Sequence, residues 1–166
     1  MTMRFIDFFE QGVRYHADET AFVDNVSRYT YAQADVQIQK IAAAIRGNSF
    51  AKGTRIGVYS PNANSAWLAL LGVLWAEGVW IPINPRNTVE VNVDLATRFG
   101  MDIMFYDACF NDQVAEIKKQ VPSLKSFICI NGEGTTGHSL ESFCAGHPER
   151  HEPEPHVPKE LAAIFP

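Results

Sequence analysis

Residues 53–88, GTRIGVYSPNANSAWLALLGVLWAEGVWIPINPRNT, read as strand, turn, enclosed helix and strand, and that order decides the fold class. Positions 54–60 alternate and stop at Ser60-Pro61-Asn62. There proline forbids further pairing and asparagine oxygens stand ready to cap a helix opening near Asn64. Over 66–76 that helix is apolar on nearly every face, which predicts an element enclosed by others. Gly78 is its predicted stop, and 79–84 is the second strand.

Towards the N-terminus, Thr30-Tyr31-Ala32-Gln33 is a capping box, in which the threonine hydroxyl and the glutamine amide each take up a free backbone amide. In the helix it opens, Ala34, Ile38, Ile41 and Ile45 fall on one stripe, with Gly47 as the stop. Before it, 21–24 and 28–31 are short strand-like runs about Asn25-Val26-Ser27, a predicted hairpin. Residues 4–16 read as an amphipathic helix with Phe5, Phe9 and Val13 on one face.

Towards the C-terminus, a helix over 89–99 has Val89, Val93 and Ala96 on one side and Gly100 as its stop. A strand over 102–106, a charged helix over 111–121 ended by Pro122, and a strand over 126–130 follow. The alternation argues for an α/β fold, a mainly parallel sheet with helices on both faces, plus an N-terminal β-hairpin. Residues 1–145 form an N-terminal α/β subdomain on this reading. Residues 146–160 are an extended Pro/His/Glu-rich linker, and 161–166 are the start of a further strand on which the sequence ends.

A net charge of −5 without a basic block argues against a nucleic-acid or anionic-membrane surface. The apolar helix falls short of the roughly 20 residues that cross a bilayer. Asp7 and Glu10 interrupt what a signal peptide would need as an apolar run. Cys109, Cys129 and Cys144 are an odd, widely spaced set, consistent with reduced thiols and a cytoplasmic setting.

Three motifs add a family to the fold class: Tyr29-Thr30-Tyr31 before the capped helix, LLGVLWAEGVWIPIN over 70–84 followed by Pro85-Arg86-Asn87-Thr88, and LAAIF over 161–165. With the element order, they resemble the N-terminal part of the adenylate-forming superfamily of acyl-CoA synthetases, aryl-CoA ligases, luciferases and peptide-synthetase adenylation domains. Trp75 and Glu77 depart from the acyl-CoA synthetase pattern, which typically has lysine and glycine there. LAAIF resembles the strand that enters the family's Ser/Thr/Gly-rich phosphate loop. The resemblance implies an ATP-dependent acid-CoA ligase, in which a carboxylic acid attacks the α-phosphate of ATP and the thiol of CoA then displaces AMP. Mg2+ would balance the phosphate charge. ATP, Mg2+ and CoA belong to the parent enzyme on this reading, because its phosphate loop and catalytic lysine would lie beyond Pro166. These residues alone are expected to be inactive and to bind none of the three tightly. The implied partners are the acid substrate and CoA, and an exposed sheet edge could promote a homodimer. The alternative is a stand-alone Rossmann-like interaction or structural module.

No catalytic residue and no metal-ligand set is assigned. Asn84-Pro85-Arg86-Asn87-Thr88 follows a strand's carboxyl end, where open α/β sheets place ligands, so Arg86, Asn87 and Thr88 are the ligand-loop candidates. Competing roles are an Arg86–Glu90 pair and Thr88 as a helix cap. Gly132-Glu133-Gly134-Thr135-Thr136-Gly137 spells GxGxxG. No P-loop lysine follows, and the acid expected about 20 residues on would fall in the linker, so it reads as a flexible surface loop. Cys144, His147, His151 and His156 read as a polar tail with solvated histidines in preference to a zinc site. Cys109 beside Asp107 reads as an ordinary buried or partly buried thiol, and Trp67, Trp75 and Trp80 as core or interface.

Overall fold

In the computed structural model, which describes residues 4–152 and 160–166, helix α1 (Phe5–His16) leads into an antiparallel hairpin of β1 (Thr20–Val23) and β2 (Arg28–Thr30). Then come α2 (Tyr31–Gly47), β3 (Arg55–Tyr59), α3 (Asn64–Trp75), β4 (Val79–Ile83), α4 (Val89–Arg98) and β5 (Ile103–Tyr106). A 3-10 turn (Ala108–Phe110), α5 (Asn111–Gln120), β6 (Ser126–Cys129), β7 (His138–Ser139) and α6 (Leu140–Cys144) follow. Strands β3 to β7 form one parallel sheet in the order β4-β3-β5-β6-β7. This is the α/β fold that the alternation predicts. The two-residue β7 is an addition, since so short a strand leaves no period to read.

Successive side chains divide between the faces of the sheet. Ile56 and Val58 of β3, Ile103 and Phe105 of β5 and Ile128 of β6 pack towards α1, α2 and α3. Tyr59, Met104, Tyr106 and Phe127 pack towards α4 and α5. Burial on both faces is why these strands are apolar along their length. The α2 stripe is buried as expected, with Ala34, Ile38, Ile41 and Ile45 at most 2% exposed. Each of those isoleucines contributes about 1.5–3 kcal/mol by leaving water. The Thr30–Gln33 capping box forms, with the Gln33 amide donating to Thr30 Oγ1 at 3.2 Å and the Thr30 amide donating to Gln33 Oε1 at 3.0 Å.

Several local expectations are corrected. In α1 the buried residues are Ile6 and Phe9, and Phe5 is 60% exposed. The inward stripe therefore starts one residue later, since Ile6, Phe9 and Val13 share the helical spacing that points at the core. Gly100 does turn left-handed at φ 57°, but Gly47 and Gly78 do not; Ser49 (φ 65°) and Glu77 (φ 59°) take that role. α2 nevertheless ends on Gly47 as expected, with Asn48 as its C-cap, whose backbone and side-chain amides both donate to Ala44 O. The asparagine oxygens do not cap α3 either. Its N-cap, Ala63, has no side-chain bond, and the Asn64 amide instead donates to Asp24 Oδ2 in the hairpin turn, at 2.8 Å.

The described beginning of the Pro/His/Glu-rich segment is docked on the helices. His147 Nε2 lies 2.9 Å from Asn48 Nδ2, and the Trp75 indole N–H donates to the His151 carbonyl at 2.8 Å. The solvated-tail expectation is thus corrected for His147 and His151; His156 and the linker positions 153–159 lie outside the described residues. Residues 161–166 run beside β4, with Ala163 bridging Trp80 in parallel.

Candidate functional site

The parallel strands deliver their carboxyl ends to one side of the sheet. From β3 the chain crosses to β4, and from β5 it crosses the opposite way to β6, so the sheet has a switch point between β3 and β5. Tyr59, ending β3, is 1% exposed and stacks on Phe110 with ring centroids 4.0 Å apart. Burial pushes its hydroxyl above the usual tyrosine range, opposed by the nearby Asn92 amide. Asp107, ending the β5 side, accepts the Cys109 amide on Oδ1 (2.9 Å) and the Asn131 amide on Oδ2 (2.7 Å). Both carboxylate oxygens are therefore engaged.

The loop after β4 forms the neighbouring rim. The Arg86 amide donates to Asn84 Oδ1 at 2.9 Å, which folds the loop tightly, while the Arg86 side chain is exposed and forms no ion pair among the described residues. The pairing with Glu90 is not formed, and Glu90 is held below the usual carboxylate range by its own backbone amide and by Thr88. Thr88 caps α4, with Oγ1 accepting the Val91 amide at 3.5 Å. Asn87 donates through Nδ2 to Asn92 Oδ1 at 3.0 Å. Of the three candidates, Thr88 and Asn87 are tied into the scaffold, and Arg86 keeps its charge available.

Asn92 escaped the sequence reading although it is 0% exposed. The signal was there: an asparagine among Val89, Val93 and Ala96, on the side of the helix that had to be buried. Beside the loop runs a groove of about 650 Å3 between Trp67 and Leu70 of α3, Trp80 and Pro82 of β4, and Asn87 and Phe165.

The remaining candidates resolve into packing. The GxGxxG loop lies over Tyr106 and the edge of β6. A Cβ at Gly134 would sit 2.6 Å from the Tyr106 hydroxyl, and one at Gly137 only 1.9 Å from the Phe127 carbonyl oxygen. Gly134 and Gly137 thus serve close approach to Tyr106 and to the β6 backbone. Cys109 is exposed as a residue, correcting the expectation of a buried or partly buried thiol. Partial desolvation of its sulfur and the Asp107 carboxylate beside it push the thiol up to about 11, a poor nucleophile near neutral pH. Trp75 is core, whereas Trp67 is 45% exposed and stacks on Phe22.

Among the described residues no group of three or more His, Cys, Asp or Glu side chains could hold a metal ion. With Asp107 engaged, these residues do not furnish a magnesium site. Among the same residues no helix is long and apolar enough to cross a membrane.

Comparison with known proteins places this geometry. The family model described as AMP-binding enzyme matches residues 8–165. The nonribosomal peptide synthetase dtxS1 of Metarhizium robertsii is 34% identical over 152 residues, covering 80% of this chain and 2% of that protein. The 3-oxocholest-4-en-26-oate–CoA ligase of Rhodococcus rhodochrous is 22% identical over 135 residues, covering 81% of this chain and 24% of that protein. Coronafacic acid ligase from Pectobacterium brasiliense superposes with a TM-score of 0.87 at 18% identity, over 98% of this chain and 33% of that one. The chain thus spans a third or less of the length of these three proteins.

Proposed function

The chain belongs to the AMP-binding enzyme family, and from that membership we propose that it supplies the N-terminal α/β scaffold of an ATP-dependent ligase that activates a carboxylic acid as its adenylate and passes the acyl group to a thiol. The overall reaction converts acid and ATP to acyl-adenylate and pyrophosphate, then adenylate and thiol to thioester and AMP. The observation that carries this reading is the course of residues 161–166, which run parallel to β4 and so head for the end of the sheet where Arg86 is exposed. In the domain division we propose, 1–145 is the scaffold, 146–160 a linker, and 161–166 the lead into the phosphate-holding loop. Arg86, with Asn87 shaping its loop, contributes a cation at that rim suited to a phosphate or carboxylate. ATP and Mg2+ are substrate and companion ion of the whole enzyme, in a cytoplasmic setting.

For the acceptor we take CoA as the first reading. A carrier-bound phosphopantetheine thiol is the second, favoured by the higher identity to a nonribosomal peptide synthetase than to a CoA ligase. Incubating the complete protein in which these residues occur with ATP, a panel of carboxylic acids and either CoA or a carrier protein separates them. CoA thioester with AMP supports the first; acylated carrier with AMP supports the second. ADP as the nucleotide product would reject both.

A further inference from the structure

Lys52 joins two carboxylates that no sequence spacing would bring together. Its Nζ lies 2.9 Å from Glu77 Oε1 and 3.0 Å from Glu160 Oε1. Adjacent turns make the meeting: Gly53, left-handed at φ 79°, donates its amide to the Glu77 carbonyl at 2.8 Å, holding the entry of β3 against the entry of β4. Glu77 is itself left-handed at φ 59°, a conformation unfavourable to any residue with a Cβ. Its side chain is nevertheless only 8% exposed, against 25% for Lys52 and 34% for Glu160. A strained backbone that delivers a shielded carboxylate to a lysine calls for an explanation beyond solubility.

The explanation lies in the residues that follow Glu160. Two and four residues after Glu160, the Ala162 carbonyl accepts the Trp80 amide and the Ile164 amide donates to the Trp80 carbonyl, both at 2.9 Å. Phe165 sets its ring edge on Trp80, centroids 5.6 Å apart. These two hydrogen bonds on a sheet edge specify register weakly, because a slip of two residues restores the same pattern with the same faces inward. An ion pair at the start of the segment removes that degeneracy. We propose that Lys52 and Glu77 are positioning residues that clamp residues 160–166 in register along β4. The hydrogen bonds from Lys52 to Glu77 and then Glu160 raise its pKa, in keeping with a cation held between two carboxylates. The catalytic consequence of the clamp rests on the adenylating reading, in which this segment leads to the phosphate-holding loop; the register does not, and the two can fail separately.

Amide hydrogen exchange of Ile164 in the intact chain reads the register. Lys52→Met is expected to lower Ile164 protection about tenfold, equivalent to two partly shielded ion pairs, and to leave an interior amide such as Phe105 unchanged. Lys52→Arg should restore most of it. Glu77→Gly separates positioning from stability: it relieves the left-handed backbone, so the chain melts no lower, yet Ile164 loses protection as in Lys52→Met. Unchanged Ile164 protection in both variants would overturn the clamp. A loss spread evenly over all sheet amides would overturn it too, since that is general destabilisation. Pyrophosphate exchange into ATP, measured separately, bears on the function and not on the clamp.

Discussion

The Asp24 carboxylate accepts the backbone amide of Asn64 at 2.8 Å, so a hairpin turn caps a helix forty residues later. The same side chain takes the amides of Val26 (2.8 Å) and Ser27 (2.7 Å), and Asn64 Nδ2 returns a bond to the Ser27 carbonyl at 2.9 Å. These amides, the Asn64 amide foremost, hold Asp24 below the usual carboxylate range. A carboxyl lowered on folding stabilises the fold above its unfolded value of about 3.9, and the contribution fades as pH falls through the lower folded value. Asp24→Ala should therefore melt below the parent at neutral pH, and the gap should close under strong acid. Melting curves across that range check it; a gap independent of pH would refute the role of charge.

Around the loop after β4, Asn92 of α4 and Arg86 of the loop should respond differently. Asn92→Ala removes a fully buried partner of Asn87 and should cost about 1–3 kcal/mol in denaturant unfolding. Arg86→Ala, exposed and without an ion pair, should change stability by less than about 0.5 kcal/mol. In the complete enzyme its effect should appear as a KM for ATP or acid raised about tenfold, the scale of one charge-assisted bond.

Gly137→Ala should be severely destabilising, because its Cβ would enter the Phe127 carbonyl. The expected loss is at least about 3 kcal/mol. Gly132→Ala, whose Cβ meets only Ala108 at 3.7 Å, should be neutral within about 0.5 kcal/mol. Chemical denaturation of both variants tests whether these glycines serve packing; equal tolerance would reopen the phosphate-loop interpretation.

Cys109 should alkylate slowly at neutral pH despite its exposure. Its rate should keep climbing towards pH 11, following the thiolate fraction. Mass-spectrometric modification rates across pH decide this, and a plateau near pH 8 would contradict it.

The fold was legible because its signals are local. The alternation about Ile56 to Val58, the apolar run from Leu68 to Trp75 and the Thr30–Gln33 box each need only neighbouring residues. What escaped depends on distance or on backbone choice. Asp24 reaches Asn64 across forty positions, and Glu77 takes a left-handed turn that the adjacent Gly78 advertised more cheaply. The site was legible in part. The position of Arg86 at a strand's carboxyl end follows from element order alone. Whether it pairs with Glu90, and that Asn92 anchors the loop from within, are tertiary facts that spacing leaves open.

The central claim is adenylation. Exchange of labelled pyrophosphate into ATP by the complete protein, across a panel of carboxylic acids, measures it most directly. The account predicts exchange that depends on an added acid and on Mg2+ and requires no thiol. ATP turnover that yields ADP, or exchange indifferent to every acid, would contradict it.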